Sequence, residues 1–238
     1  EAVGAERKWN SEQIESAKRK LEGVAVALNT RLAADIEHRR SKQFWIACQN
    51  LVDSVIYGRR AGLSPEARRA PLFEELKVIK ESSVEDSFVQ KVINAFSQES
   101  LKDGVYPEQD LKSRFAYVYK VARRVAKIDD NGGGIIRYFG SFLQNAITFD
   151  LPRAYSTEEK IDPDSMDMYQ ILSRTRYFVE KGDLLSAVRV AQLLRGEPAR
   201  LAKDWIRDTR AHLEAKFLVE LLLAHAAVMN VTTTYSVN

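Results

Sequence analysis

Apolar residues return along most of this chain at steps of three and four. Between Ser11 and Tyr57 they fall at Ile14, Leu21, Val24, Leu28, Leu32 and Ile36, then at Phe44, Ala47, Leu51 and Val55. The stretch holds one glycine, Gly23, and no proline. That spacing predicts a single helix of about 45 residues, opened by Asn10 and Gln13 as a capping box. Its first half carries a narrow apolar stripe amid Lys18, Arg19, Lys20, Arg31 and Glu37, as the end of a coiled coil does. Its second half, Phe44-Trp45-Ile46-Ala47, is more broadly apolar and is expected to enter a domain core, with the boundary near Arg40.

Further on, glycine and proline punctuate shorter helices. Residues 58–71 read as an Arg-rich loop. Ser82 and Glu85 read as a capping box for a helix over 84–98, with Val84, Phe88, Val92 and Phe96 on one face. Gly104 breaks the chain, and Pro107 opens a helix running to about Asp130. Asn131-Gly132-Gly133-Gly134 ends it, and 135–149 predicts a short apolar helix. After a loop closed by Asp162-Pro163, helices are expected over 164–181, stopped by Gly182, and over 184–195, capped by Asp183. Pro198 opens the last, over 198–229, followed by a polar tail. No stretch alternates at period two and no fixed repeat recurs. The expected fold is therefore all-α, a long N-terminal helix leading into a helical bundle.

The 238 residues are 45% hydrophobic and 29% charged, which is globular composition and excludes a disordered chain. One cysteine, Cys48, excludes an internal disulfide framework and a Cys-based zinc module. The longest apolar run, 217–229, is shorter than the ~20 residues a membrane span needs. The chain opens at Glu1 rather than methionine and shows no signal-peptide pattern, which reads as a piece of a longer protein.

The net charge of +3 hides an uneven distribution. Between Leu111 and Ile128 lie Lys112, Arg114, Lys120, Arg123, Arg124 and Lys127, with no acid among them. Everything outside this window is therefore net acidic. Leu111, Phe115, Val118, Ala122 and Val125 form one apolar stripe, while Lys120, Arg124 and Lys127 lie off it. Such a helix suits a membrane interface, where cations meet anionic headgroups. The same pattern also describes a helix packed into a core with a solvated basic face. Nucleic acid is disfavoured because no docking motif surrounds the helix.

In the last predicted helix, Leu201, Ala202, Trp205, Ile206, Leu213 and Phe217 read as a core stripe, packed against Leu184, Leu185, Val188, Ala191 and Leu194. Beyond it, Phe217-Leu218-Val219 and Leu221-Leu222-Leu223 are apolar on several sides. A helix apolar all round is buried all round, either centrally or at a partner interface. Trp205, Phe217, Leu218 and Leu222 are the candidate partner residues, although Trp205 reads first as a core anchor.

No catalytic or metal-binding constellation emerges. His212 and His225 lie ~20 Å apart along one helix, and His38 and Cys48 ~15 Å apart on another. Cys48 sits among Trp45, Ile46 and Leu51 as a buried thiol. Asp162, Asp164 and Asp167 read as helix-dipole caps rather than metal ligands. The glycine run lacks the Lys-Ser/Thr of a phosphate loop, and no strand precedes it. No cofactor is expected.

Taken together, Gly104-Val105-Tyr106, Arg114-Phe115, Ala122-Arg123-Arg124-Val125-Ala126 and Ile128-Asp129 resemble the C-terminal region of the mitofilin family, the core subunit of the mitochondrial MICOS complex. Gly182-Asp183-Leu184, Ala187, Gly196-Glu197, Asp204-Trp205 and Leu213-Glu214 agree, as does Trp45-x-Ala47-Cys48. The resemblance spans about residues 44–231; the glycine run at 131–134 departs from it. It implies a non-enzymatic, membrane-shaping scaffold of the mitochondrial inner membrane at cristae junctions, facing the intermembrane space and anchored by a membrane helix outside this chain. It also implies a lipid-binding helix over 111–128, with Arg114 and Phe115 carried over first, and a C-terminal domain that binds a CHCH-type partner subunit. Anionic phospholipid and further copies of the chain are the other expected partners. On this reading the chain divides into 1–40, the coiled-coil end; 41–106, connecting helices; 107–134, the lipid helix and linker; and 135–238, the mitofilin-like domain. The competing expectation is a soluble helical adaptor that binds only proteins, its basic helix structural.

Overall fold

A computed structural model describes residues 2–59, 62–83, 86–126, 155 and 166–235 of the chain. Within them the regular structure is helical throughout, broken only by an isolated antiparallel bridge between Ala70 and Val105. Helix α1 spans Ala2–Ile56, 55 residues and so about 80 Å at 1.5 Å per residue. It is longer than the expected element at its N-terminal end, so Asn10 and Gln13 lie inside it rather than capping it. The large apolar side chains from Trp9 to Ile36 stay exposed, and burial begins at Ser41 and Phe44. Of the apolar quartet at 44–47, Phe44 and Ala47 turn inward with Cys48, while Trp45 and Ile46 face out.

Four short helices follow: α2 (Pro65–Arg68), α3 (Phe73–Ser82), α4 (Ser87–Ala95) and α5 (Gln98–Asp103). The capping expected of Ser82 falls instead to Asp86, whose carboxylate accepts from the N–H groups of Phe88 and Val89 at 2.9 and 3.2 Å. Ser82 is the last residue of α3, and its hydroxyl donates back to the carbonyls of Val78 and Ile79. A carboxylate at a helix start gains from the dipole as well as the hydrogen bonds. The buried face of α4 is Val89 and Val92, continued by Phe96 beyond the helix end; Phe88 is exposed.

Helix α6 (Glu108–Val125) carries the basic window, and α7 (Met168–Lys181) ends at Gly182, whose φ of 84° is the left-handed stop a C′ glycine provides. Asp183 caps α8 (Leu184–Ala191) by accepting from the N–H of Ser186. Helix α9 (Gly196–Tyr235) closes the described chain with 40 residues, about 60 Å. The expected helix at 135–149, the glycine run at 131–134, and Asp162 and Asp164 lie outside the described residues.

Helix α9 is the spine. Ala202, Trp205, Thr209, His212, Ala215, Val219, Leu222 and Ala226 line its inward face at steps of three and four. Leu201 and Phe217, expected on the core stripe, stand outside it. Two apolar cores use this face in turn. The N-terminal half of α9 packs with Leu111 and Phe115 of α6, Ile171 and Phe178 of α7, and Val188 of α8. Its C-terminal half packs with Phe44 and Leu51 of α1, Ile79 of α3 and Val92 of α4. By length and composition, Gly196–Thr232 is apolar enough to cross a membrane, yet its inward face is built into both cores.

The join between the two halves is tight. Gly104 adopts a φ of 76°, and a Cβ there would lie 2.1 Å from the Ala70 carbonyl oxygen. The Arg69 guanidinium donates to the Gly104 carbonyl at 2.8 Å. Gly104→Ala is therefore expected to destabilise by at least about 2 kcal/mol in chemical denaturation. Gly23→Ala, in an open helix interior with nothing within 4 Å, should instead stabilise by about 0.5–1 kcal/mol.

His212 supplies a pH prediction. Burial first, and the nearby Lys216 second, push its imidazole down from 6.5 to about 4. Between those values the unfolded chain binds a proton that the folded chain does not, so stability falls as pH drops from 7 towards 4. The share due to this group is at most about 3 kcal/mol. His212→Gln should flatten that part of the stability profile measured by equilibrium denaturation. An unchanged profile would exclude His212 as its source.

Candidate membrane and partner surfaces

Helix α6 buries its apolar stripe. Leu111, Phe115, Tyr119 and Ala122 face the core, and the Phe115 ring, 1% exposed, lies 4.6 Å from that of Trp205. The Trp205 indole N–H donates to the Leu111 carbonyl at 2.9 Å, tying α9 to the first turn of α6. Phe115 therefore meets protein in this fold, and contact with acyl chains would require α6 to leave its seat.

Arg114 is likewise engaged. Its guanidinium pairs with Asp208 of α9 at 2.7 Å and lies 4.2 Å from the centre of the Tyr106 ring. Arg69 covers the same ring at 4.7 Å. Asp208 is buried and also meets Arg207 at 3.2 Å, so losing Arg114 would leave a buried carboxylate poorly compensated. One turn earlier, buried Asp110 accepts from Arg68 Nε at 2.9 and 3.1 Å, clamping α2 and its loop onto α6.

What α6 leaves outside is its other face. Ala116, Tyr117, Lys120 and Arg124 are exposed, Tyr117 to 72%, and Arg123 is half-buried at the edge. Lys127 lies outside the described residues. The helix thus separates its two kinds of surface: apolar side chains and Arg114 inward, an aromatic ring and cations outward.

The four candidate partner residues separate too. Trp205 and Leu222 are fully buried, Leu218 packs partly against the core around Phe44, and Phe217 is 60% exposed. Phe217 starts an outward stripe that the sequence reading did not isolate: Phe217, Leu221, Ala224, Val228 and Val231, at steps of four, three, four and three. Leu221 is half-buried and the others are exposed. The 3.6-residue period contains this stripe, but an all-apolar segment does not say which of its faces turns inward.

At the far end of α9, His225 meets Asp86 at 2.5 Å and its ring lies 4.8 Å from Phe88. Burial alone would raise the Asp86 carboxyl, but hydrogen bonds from His225, Val89 and Phe88 outweigh it and hold it below its usual range. The pair is a structural tie between α4 and α9. Cys48 is buried, its thiol pushed up to about 12 by burial, and so is not a nucleophile at neutral pH. Among the described residues no group of three or more His, Cys, Asp or Glu side chains could hold a metal ion.

Comparison with known proteins gives these surfaces a context. Residues 1–227 match the family described as Mitofilin, mitochondrial inner membrane protein. The chain is 38% identical over 238 residues to the MICOS complex subunit MIC60-2 of Caenorhabditis elegans, covering 99% of this chain and 36% of that protein. It is 34% identical over 212 residues to the MICOS complex subunit Mic60 of Drosophila melanogaster, covering 87% and 29%. The Aspergillus niger MICOS complex subunit mic60 is 25% identical over 235 residues. The chain spans about a third of the length of these relatives. No solved structure matches it. With nearly its whole length matched, the chain belongs to the mitofilin family of mitochondrial inner membrane proteins.

Proposed function

We propose that this chain is the C-terminal part of a non-enzymatic MICOS scaffold that lies against the mitochondrial inner membrane on its intermembrane-space side, at cristae junctions. In this reading α6 meets anionic phospholipid through its outward face, with Lys120, Arg123 and Arg124 on headgroups and Tyr117 at the interface, and Lys127, next along the sequence, adds a further cation. The outward stripe of α9, led by Phe217, receives a CHCH-type partner subunit. The exposed apolar residues of α1 pair with further copies of the chain as a coiled coil.

The observation that carries the membrane reading is the two-sidedness of α6. Its apolar stripe and Arg114 are occupied by α9 and Tyr106, so the helix is held rigidly with an aromatic and cationic face outward. Arg114 and Phe115 then act by holding the helix in place. The same burial of Phe115 favours the adaptor reading, in which α6 is only structural, and one experiment separates the two. In co-sedimentation with vesicles containing anionic phospholipid, Lys120→Gln with Arg124→Gln should cost about 2 kcal/mol, on the order of thirtyfold in affinity. Folding should be unchanged, because both side chains are exposed. Wild-type chain that ignores such vesicles would make the adaptor reading the correct one.

For the partner surface, Phe217→Asp should weaken binding of a twin-cysteine CHCH subunit at least tenfold in calorimetric titration, with the melting temperature held. Undiminished binding would remove this face from the interface. Leu222→Asp is uninformative there, since it buries a charge in the core and unfolds the domain.

A further inference from the structure

The loop that leads from α1 into α2 is fastened to α6. At its base Gly58 adopts a φ of 60°, and a Cβ there would lie 2.3 Å from the Arg68 carbonyl oxygen and 2.7 Å from Pro107 Cγ, just before α6. The Arg59 N–H donates to the Arg68 carbonyl at 2.8 Å and closes the neck of the loop. The Gly62 N–H donates back to the Arg59 carbonyl at 3.3 Å. The Arg68 guanidinium holds the Asp110 carboxylate at 2.9 Å and the Gly62 carbonyl at 3.2 Å at the same time. Next to Gly62 stands Leu63, 100% exposed. Asp110 shows which side of α6 carries this loop. At 100° per residue it projects about 20° from Tyr117 and about 40° from Arg124, but about 100° from Leu111 and 140° from Phe115. The loop is therefore seated at the first turn of α6 on its outward side, away from the core.

We propose that Leu63 is a second membrane contact: the tip of this loop inserts its side chain at the acyl boundary of an anionic bilayer, while Tyr117, Lys120 and Arg124 of α6 rest on the headgroups beside it. The inference rests on the membrane reading of α6 and deepens it by naming an insertion residue. A single exposed leucine is ordinary on a protein surface. Three features set this one apart and select lipid. The first is what α6 lacks. Interfacial binding needs buried apolar surface as well as cations, yet Phe115 and its neighbours are occupied by the core, and Tyr117 is the one large apolar side chain that α6 leaves exposed. Leu63 supplies the missing aliphatic group. The second is charge. Residues 58–69 hold four arginines against one acid, Glu66. Arg68 and Arg69 are engaged by Asp110 and the Gly104 carbonyl, while Arg59 stays exposed and suits a lipid phosphate. The third is preorganisation. The ties at Gly58, Arg59, Gly62 and Arg68 hold the loop in place before binding, so little conformational freedom is lost on insertion.

A polarity-sensitive fluorophore on the full chain, attached through Leu63→Cys, Tyr117→Cys or Lys91→Cys, tests this. Cys48 is buried with its thiol protonated and stays unlabelled. With vesicles of phosphatidylcholine and phosphatidylglycerol in equal parts, emission at positions 63 and 117 should shift to the blue. Spin-labelled acyl chains should quench position 63 more than position 117. Position 91, on α4 and exposed, should not respond. A response at 117 without one at 63 would overturn the insertion and leave the α6 reading standing. A response at neither would overturn both. A response at 63 alone would overturn the surface shared with α6, and an equal response at 91 would mark unoriented adsorption and overturn the proposal as well. Leu63→Ser should weaken vesicle binding about fivefold, and Leu63→Phe should restore it, with the melting temperature held in both. Binding indifferent to Leu63→Ser would overturn the proposal.

Discussion

The seat of α6 on α9 is the constraint from which the candidate surfaces follow. The Trp205 indole bonds the Leu111 carbonyl, its ring packs on Phe115, and one turn further along α9 Asp208 holds Arg114. Burying Phe115 and Trp205 contributes several kcal/mol in apolar transfer alone. The buried Asp208 makes the register of the two helices specific, because sliding either one leaves its carboxylate without Arg114. Once this register is set, the remaining positions of α6 have no choice of face. Tyr117, Lys120 and Arg124 point outward because Leu111, Phe115 and Ala122 point inward.

Several of the blocks on which the family resemblance was read serve the same packing. Gly104-Val105-Tyr106 is a joint: the glycine admits the Ala70 backbone, the valine fills the core around Phe44, and the tyrosine ring meets both Arg69 and Arg114. Gly182-Asp183-Leu184 ends α7, starts α8 and supplies a core side chain in three consecutive residues. Arg114-Phe115 and Asp204-Trp205 contribute three of the residues that seat α6. These blocks are the places where the backbone turns or where two helices are keyed together. The exposed faces proposed to meet lipid and partner lie largely outside them, apart from Arg123 and Arg124.

Sharing one long helix between two cores also couples the surfaces mechanically. Helix α9 carries Trp205 under α6 at one end, and Leu222, Ala226 and His225 against α1 and α4 at the other. The Phe217 stripe runs along its outer side, over the second core. The faces proposed to meet membrane and partner are thus borne by helices that pack along α9.

Much of this was legible in the sequence. Helical periodicity, the stop at Gly182, the cap at Asp183 and the change of character near Arg40 are local features, decided by backbone propensity and by residues three or four apart. The concentration of cations on one side of α6 was legible for the same reason. What the sequence could not decide was which apolar side chains face a neighbour. Phe115 and Phe217 are both aromatic residues on amphipathic helices; one is buried and the other exposed. Trp205 and Leu222 sit in the same apolar helix as Phe217 and face the opposite way. Periodicity defines the faces of a helix, but only the packing of α6, α1 and α4 on α9 assigns a face to the core, because burial depends on contacts between residues nearly a hundred positions or more apart.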